Sequence, residues 1–410
     1  GLTADSPEAQ ALPSYTNVPA LVADALDISP ARQVYTATGG NTPQMMVNRY
    51  AQQIVEGQCE LVLLTGAEAL AGMVGRLKAG LDIDGWQSQE GEPPEMATTE
   101  RLPATPHEAA HGILLPASVY PLFENALRGK YGEDIASHQH RMGELFHPLT
   151  RVASQNPLAW FPVERSAEEL SQVSESNRYV GFPYTKYLNS IIQVNMGAAV
   201  ILTSQRKARE LGVPEDRLVY LHGCGDANDR WYLHERENYC SSPAIRTIGR
   251  KALAMAGKSI DEIDYFDIYS CFPSAVQIAC DELGIDQQDP RGLTVTGGLP
   301  YFGGPGNNYT THAIATMMDR LRARPGSFGL LNANGGFITK HSLGIYSTTP
   351  PLKPWCREDP ADYADEVVDG DAVPFTESPN GPASIETYTV VHGREGPESG
   401  IVIGRLADGT

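Results

Sequence analysis

No stretch of the 410 residues runs apolar for the roughly 18 positions that a membrane-spanning helix needs. The start, Gly1-Leu2-Thr3-Ala4-Asp5, has no basic-then-apolar leader, so no secretory signal is read there. Because it opens on Gly rather than Met, an upstream segment is expected. Positive charge is scarce: 31 Lys and Arg face 50 Asp and Glu, for a net charge of -19. That field repels polyanions, and no basic stripe offsets it, which excludes a nucleic-acid partner. The six cysteines (Cys59, Cys224, Cys240, Cys271, Cys280, Cys356) show no C-x-x-C spacing. Zinc clusters and disulfide frameworks are therefore not expected, and reduced thiols in a cytoplasmic protein are. His107 and His111 share a helical spacing, but no acidic residue completes a zincin motif, so no metal site is expected. No phosphate-cradling motif is present either.

What is present is the punctuation of an α/β protein. Gln33–Ala37 reads as a short strand, Gly39-Gly40-Asn41-Thr42-Pro43 as a turn with Asn41 or Thr42 as N-cap, and Gln44–Glu56 as a helix with Met45, Met46, Ala51 and Ile54 at helical spacing. Leu61–Thr65 is a continuous apolar run, as expected of a strand covered on both faces. Together these predict a strand–helix–strand unit. From about Gly85 to Arg178 prolines and turn signals interrupt helix-like stretches at Ala117–Leu127 and Ile135–Phe146, and this region reads as an insertion over one face of the core. The strand-and-helix pattern resumes at Gly197–Thr203 and Ser204–Leu211. A second half follows, with strands Val219–Gly223, Ile263–Tyr269, Phe328–Asn332 and Leu343–Ser347 and helices Pro243–Ala256, Ser274–Leu283 and Thr311–Arg324. Beyond Pro350 the chain turns rich in Pro and Asp, then gives two strand-like stretches, Ser384–Val391 and Gly400–Gly404. Two strands are too few for a stable unit, so they read as an incomplete appended β domain.

The most informative segment is Thr296–Tyr309, with the sequence Thr-Gly-Gly-Leu-Pro-Tyr-Phe-Gly-Gly-Pro-Gly-Asn-Asn-Tyr. Glycine at this density costs chain entropy, which suits backbone that must approach another group closely. With the Gly-Gly-Asn-Thr-Pro-Gln stretch from Gly39, the Tyr-Ser-Cys-Phe-Pro-Ser stretch from Tyr269 and the Asn332–Gly336 turn, this loop makes the chain resemble the thiolase superfamily. Among its subgroups the thiolase-like proteins type 1, often labelled acetyl-CoA acetyltransferases, resemble it in the same stretches and carry an extra C-terminal β domain. The resemblance implies a duplicated βαβαβ fold with an inserted loop domain. It divides the chain into an N-terminal half at 1–206 (insertion about 80–190), a C-terminal half at 207–350, and a linker with a partial β domain at 351–410.

It also implies a site with altered chemistry. The family's nucleophilic cysteine falls on Gly39, its loop histidine on Gly304, and its second cysteine near Ala333 or Asn334, none of which can do covalent or proton-transfer work. The substitutes within reach are Cys271 and His341, with His312 as a base whose charged form a helix N-terminus disfavours. Each has a plain alternative: Cys271 as a packed thiol, His312 as a helix-face residue. Lys340 beside His341 suits an anionic or thioester ligand. Tyr269, Asn41, Gly304, Asn307, Asn308 and Asn334 are expected to line a polar pocket for a carbonyl. The implied ligand is a coenzyme A thioester, as substrate or ligand, with no other cofactor. Three functions stay open: an acyltransferase with altered residues, a non-catalytic acyl-CoA or lipid-binding module, and a homodimer or partner subunit of a complex.

Overall fold

The computed structural model describes residues 15–81, 91–368 and 370–410. The expectations for Gly1–Asp5 and for the stretch from Gly85 to residue 90 lie outside the described residues. In chain order the described strands are β1 (Val34–Tyr35), β2 (Leu61–Glu68), β3 (Glu95–Met96), β4 (Tyr179–Gly181), β5 (Tyr184–Thr185), β6 (Met196–Thr203), β7 (Tyr220–Asn228), β8 (Tyr265–Ile268), β9 (Phe328–Gly335), β10 (Lys340–Ser347), β11 (Ala383–His392) and β12 (Pro397–Leu406). The helices are α1 (Val18–Ala25), α2 (Thr42–Val55), α3 (Leu70–Lys78), α4 (Pro106–Ala110), α5 (Pro116–Tyr131), α6 (Ile135–Ser154), α7 (Ala167–Ser171), α8 (Gln205–Glu210), α9 (Pro243–Ala256), α10 (Pro273–Leu283), α11 (Tyr309–Ala323) and α12 (Ala364–Val367). No helix among the described residues is long and apolar enough to cross a membrane.

The chain divides into two compact units. The first, drawn from residues 1–38 and 69–101, holds α1, β1, α3 and β3. Asn17 caps α1 through the Ala20 N–H at 3.0 Å and donates to the Gln33 side chain at 2.7 Å. β1 pairs in parallel with β3, Val34 opposite Glu95 and Tyr35 opposite Met96.

The second unit, residues 39–68 and 102–410, is built on a four-stranded sheet ordered β7-β10-β9-β8. β8 runs parallel to β9, and β10 is antiparallel to both β9 and β7. The core of this sheet is continuous with α10, whose every residue from Pro273 to Cys280 is buried; a run apolar all round marks a helix packed on all sides. Gly284 closes α10 with φ +70°, the left-handed cap that glycine adopts without strain.

Two expectations are corrected here. The strand–helix–strand unit at Gln33–Thr65 does not form one sheet: β1 gives its backbone bonds to β3, while β2 pairs antiparallel with β6 from Leu61↔Thr203 to Glu68↔Met196. Nor is β2 covered on both faces. Leu61 and Leu63, with Ile201 on β6, are exposed, and Val62, Leu64 and Val200 face inward. Nothing among the described residues supplies the second layer that the unbroken apolar run suits.

The tail hairpin does not stand alone. β11 pairs with β12 and, at Val391↔Gly181, with β4, giving a four-stranded sheet ordered β12-β11-β4-β5. Two strands at 179–185 thus complete the minimum that a hairpin needs. Asn125 on α5 fastens the layer by donating to the Tyr388 carbonyl at 2.8 Å.

Candidate functional site

The site is organised around the turn Gly39-Gly40, which precedes α2. Thr42 binds the Gly39 carbonyl twice, through its N–H at 3.0 Å and its hydroxyl at 2.7 Å. Asn41 occupies the N-cap position without capping; its amide donates instead to the Ser342 hydroxyl at 3.2 Å. Alternation along β10 explains that partner. Lys340, Ser342 and Gly344 face α2, because strand side chains point to opposite faces with period two. The buried face of α2 is also more polar than the Met45–Ile54 pattern suggests. It carries Gln44 and Asn48, which satisfy each other at 2.8 Å and reach Tyr346 and Asp226.

Neither glycine has room for a side chain. A Cβ on Gly39 would lie 2.6 Å from the Lys340 ammonium nitrogen and 2.8 Å from the Asn41 Oδ1. A Cβ on Gly40 would lie 2.1 Å from the Tyr269 hydroxyl and 2.6 Å from the Asn334 carbonyl. The side-chain direction of Gly39 is taken by an ammonium, and that of Gly40 by a phenol. Asn307 and Thr310 hold the turn from the glycine loop, Asn307 accepting the Gly39 N–H at 2.8 Å and Thr310 donating to the Gly40 carbonyl at 2.5 Å.

Cys271 lies beside this turn in a closed environment. Asn334 donates weakly toward its sulfur at 3.9 Å and more firmly to the Tyr120 hydroxyl at 2.9 Å; Tyr120 in turn donates to the Gly336 carbonyl. Burial pushes the Cys271 thiol up to about 12, and burial likewise raises the Tyr269 phenol. A thiol so placed is protonated at neutral pH and is a poor nucleophile.

The other expected residues are engaged elsewhere. His341 points to the opposite face of β10, where its Nε2 lies 3.2 Å from the buried Asp229. Burial works against that carboxylate, but His341, Arg236 and Ser242 together outweigh it and hold its pKa low. His312 packs its ring against Phe302, 5.5 Å between centroids, and burial drives it down to about 4, so it is neutral. Asn308 turns to β2 and donates to the Gly66 carbonyl at 2.5 Å. At Gly304 a Cβ would meet the Ser190 hydroxyl at 2.4 Å, so Ser190 fills the direction an imidazole would take. The glycines of this loop pack against the chain itself: a Cβ on Gly297, where φ is +114°, would strike the Ala153 backbone at 2.6 Å.

The structure therefore gathers Asn41, Tyr269, Cys271, Asn307, Asn334 and Lys340 at the turn, and leaves His341, His312, Asn308 and Gly304 outside that cluster. Tyr120, Ser190 and Asp267 were not singled out by sequence. Asp267 on β8 anchors the glycine loop, accepting from Thr294 and Tyr309 hydroxyls and the Val295 N–H, each at 3.0 Å. Two acceptors at the turn, Asn41 Oδ1 and Asn334 Oδ1, are buried with no hydrogen-bond partner. Among the described residues no group of three or more His, Cys, Asp or Glu could hold a metal ion.

Residues 362–410 match the family model described as the thiolase-like protein type 1 additional C-terminal domain. The crystal structure of a monomeric SCP2-thiolase-like protein type 1 from Mycobacterium smegmatis is 38% identical with a TM-score of 0.83, over 98% of this chain and 82% of that one. The chain belongs to the thiolase-like protein type 1 family. Acetyl-CoA acetyltransferase 1 of Arabidopsis thaliana is 25% identical over 341 residues, 75% of this chain and 77% of that protein. The dimeric peroxisomal thiolase of Saccharomyces cerevisiae, 19% identical over 76% of this chain and 75% of that one with a TM-score of 0.50, shares the fold alone. The family thus supplies a thiolase fold related to acyl-CoA enzymes, with the C-terminal sheet described above.

Proposed function

We propose that this chain binds an acyl-CoA thioester at the Gly39-Gly40 turn and does not form an acyl-cysteine. The observation that carries this reading is that the Lys340 ammonium fills the side-chain direction of Gly39, while Tyr269 fills that of the adjacent Gly40. An ammonium and a phenol at that point are donors suited to a thioester carbonyl. The unpartnered amide oxygens of Asn41 and Asn334 suit the N–H groups of a pantetheine arm, since buried acceptors without partners call for an explanation. Cys271 supplies no nucleophile, because its thiol is protonated and none of its contacts is a base. Six free thiols suit a reducing cytoplasm. Calorimetry with acetyl-CoA and longer acyl-CoAs tests the reading: saturable binding with no mass adduct supports it, whereas no binding, or an acyl adduct on Cys271, overturns it.

A second subunit is favoured by one observation, the exposed apolar face of Leu61, Leu63 and Ile201 on β2 and β6. Sedimentation at the mass of a single chain would count against it.

A further inference from the structure

Away from the glycine turn, a cavity of about 270 Å3 opens between α4, the segment 233–239, the segment 373–379 and the β11–β12 hairpin. That volume is at the small end of ligand pockets, which run from roughly 300 to 1,000 Å3, and suits a molecule of one or two rings. Its walls are aromatic and aliphatic: His107, His234, Tyr239 and Phe375, with Ile401 and Ile403 from the hairpin. The Phe375 ring lies 4.4 Å from the His234 ring and 5.3 Å from the His107 ring, centroid to centroid.

The polar groups at this cavity are almost all spoken for. Glu108 is buried; one oxygen accepts the Thr105 N–H at 2.8 Å. The other takes the His234 backbone N–H at 3.1 Å and the His234 Nδ1 at 3.0 Å. Arg405 is neutralised by Glu386 at 2.8 Å, and the Tyr239 hydroxyl donates to the Leu233 carbonyl at 3.2 Å. An oxygen that already accepts one N–H fixes the His234 tautomer with its proton on Nδ1, donating to Glu108. In the neutral ring Nε2 is then the acceptor, and the ring borders the cavity. Carboxylate-oriented imidazole, flat aromatic walls and paired charges together describe a site for an uncharged ring with a single O–H donor.

We propose that this cavity is a second small-molecule site, and that it binds a small aromatic alcohol whose hydroxyl donates to the His234 Nε2 while its ring stacks on Phe375. This site is separate from the acyl-thioester turn and does not depend on that reading. The test uses the full chain, 2-naphthol as probe and 2-methoxynaphthalene as the same ring system without the donor, both by calorimetry. The expected result is saturable binding of 2-naphthol, with the ether about tenfold weaker, as a lost hydrogen bond of the usual net worth allows. His234→Phe should erase the preference between the probes. Should that variant fail to fold, because Glu108 loses a partner, Phe375→Ala and Ile403→Trp serve instead. Phe375 is 44% exposed, so its truncation leaves the core intact and should weaken 2-naphthol several-fold, and Ile403→Trp should block it by filling the space. No saturable 2-naphthol binding, equal affinity for both probes, or binding unchanged in Phe375→Ala and Ile403→Trp would each overturn the proposal.

Discussion

Two polar regions share the core of the larger unit and differ in how their hydrogen bonds close. Around Glu124 on α5 every ionic group is answered: His138 and Gln277 approach one carboxylate oxygen at 2.6 Å each, the Tyr184 hydroxyl donates to the other at 2.6 Å, and His138 is held from its far side by Glu133 at 2.8 Å. At the Gly39-Gly40 turn two amide oxygens, of Asn41 and Asn334, are buried and unanswered, against one, Gln277 Oε1, beside Glu124. Unpaired buried acceptors cost free energy, so they persist where something other than folding uses them. The Glu124 network, with every charge met, is a strut; under the proposed function a ligand completes the bonding at the turn. The substitutions below separate those roles.

The largest effect belongs to the closed network. Glu124→Ala removes a carboxylate that three side chains address and should destabilise the chain by about 3–5 kcal/mol, measured by urea unfolding, because it strands buried partners. It also changes pH dependence. Burial disfavours the His138 imidazolium, but Glu124 and Glu133 outweigh burial and raise its pKa above the ordinary 6.5. That contribution is fully present below the unfolded value and is lost as pH rises through the folded one. Glu124→Gln should weaken this loss while acyl-CoA affinity of the folded fraction stays unchanged. If affinity falls in parallel with stability, the two regions are one device and the comparison fails.

Asp267 tests the support of the open region, since it holds the glycine loop whose Asn307 and Thr310 clasp the turn. Burial raises its carboxyl from 3.8 to about 6, so the native state keeps a proton that the unfolded chain gives up first. Its contribution to stability should be greatest below about pH 4 and fall by about 3 kcal/mol as pH rises to 6, two pKa units at 1.36 kcal/mol each. Asp267→Asn should flatten that slope in unfolding measured across pH 4–6; an unchanged slope would assign the titration elsewhere.

How much of this was legible follows the length scale of the interactions. Helix Pro243–Ala256 was read to the residue because proline at its start and Gly257 at its end are local signals. β9 and β10 run past the predicted Phe328–Asn332 and Leu343–Ser347, since Ala333–Gly335 and Lys340–Ser342 lack strand residues and are held by cross-strand pairing. Partners of β1 and β2 were misread because pairing between distant segments leaves no mark on local pattern. At the site, Tyr269, Asn41 and Lys340 could be nominated by residue type and neighbourhood. That His341 faces away from the turn depended on strand phase, which a one-residue shift reverses. Tyr120 and Ser190 carried no signal, because each reaches the site from the insertion by tertiary packing alone.

Within the open region, Gly40→Ala places a methyl 2.1 Å from the Tyr269 hydroxyl and should cost about 1–3 kcal/mol by overpacking. Adding Tyr269→Ala should relieve part of that cost in a double-mutant cycle on unfolding free energy, the clash with the Asn334 carbonyl remaining, and additivity would show that the two side chains do not meet. Lys340→Met keeps the length of the side chain and removes its charge. Acyl-CoA binding should weaken roughly 10- to 100-fold, the worth of a charged hydrogen bond of about 1.5–3 kcal/mol, as read by calorimetry.

The smallest effect is the most discriminating. Cys271 sits near the turn residues, yet burial holds its thiol protonated with a pKa of about 12, and Asn334, 3.9 Å away, spends its better bond on Tyr120. If the turn only binds, Cys271→Ser should keep acyl-CoA affinity within about twofold, since an exchange of sulfur for oxygen preserves the shape and the weak contact. Wild type and variant should both leave acetyl-CoA incubation without added mass. An acetyl group found on the wild-type chain and absent from Cys271→Ser would mean that the thiolate forms despite its burial, and would move this site from the binding side of the comparison to the catalytic one.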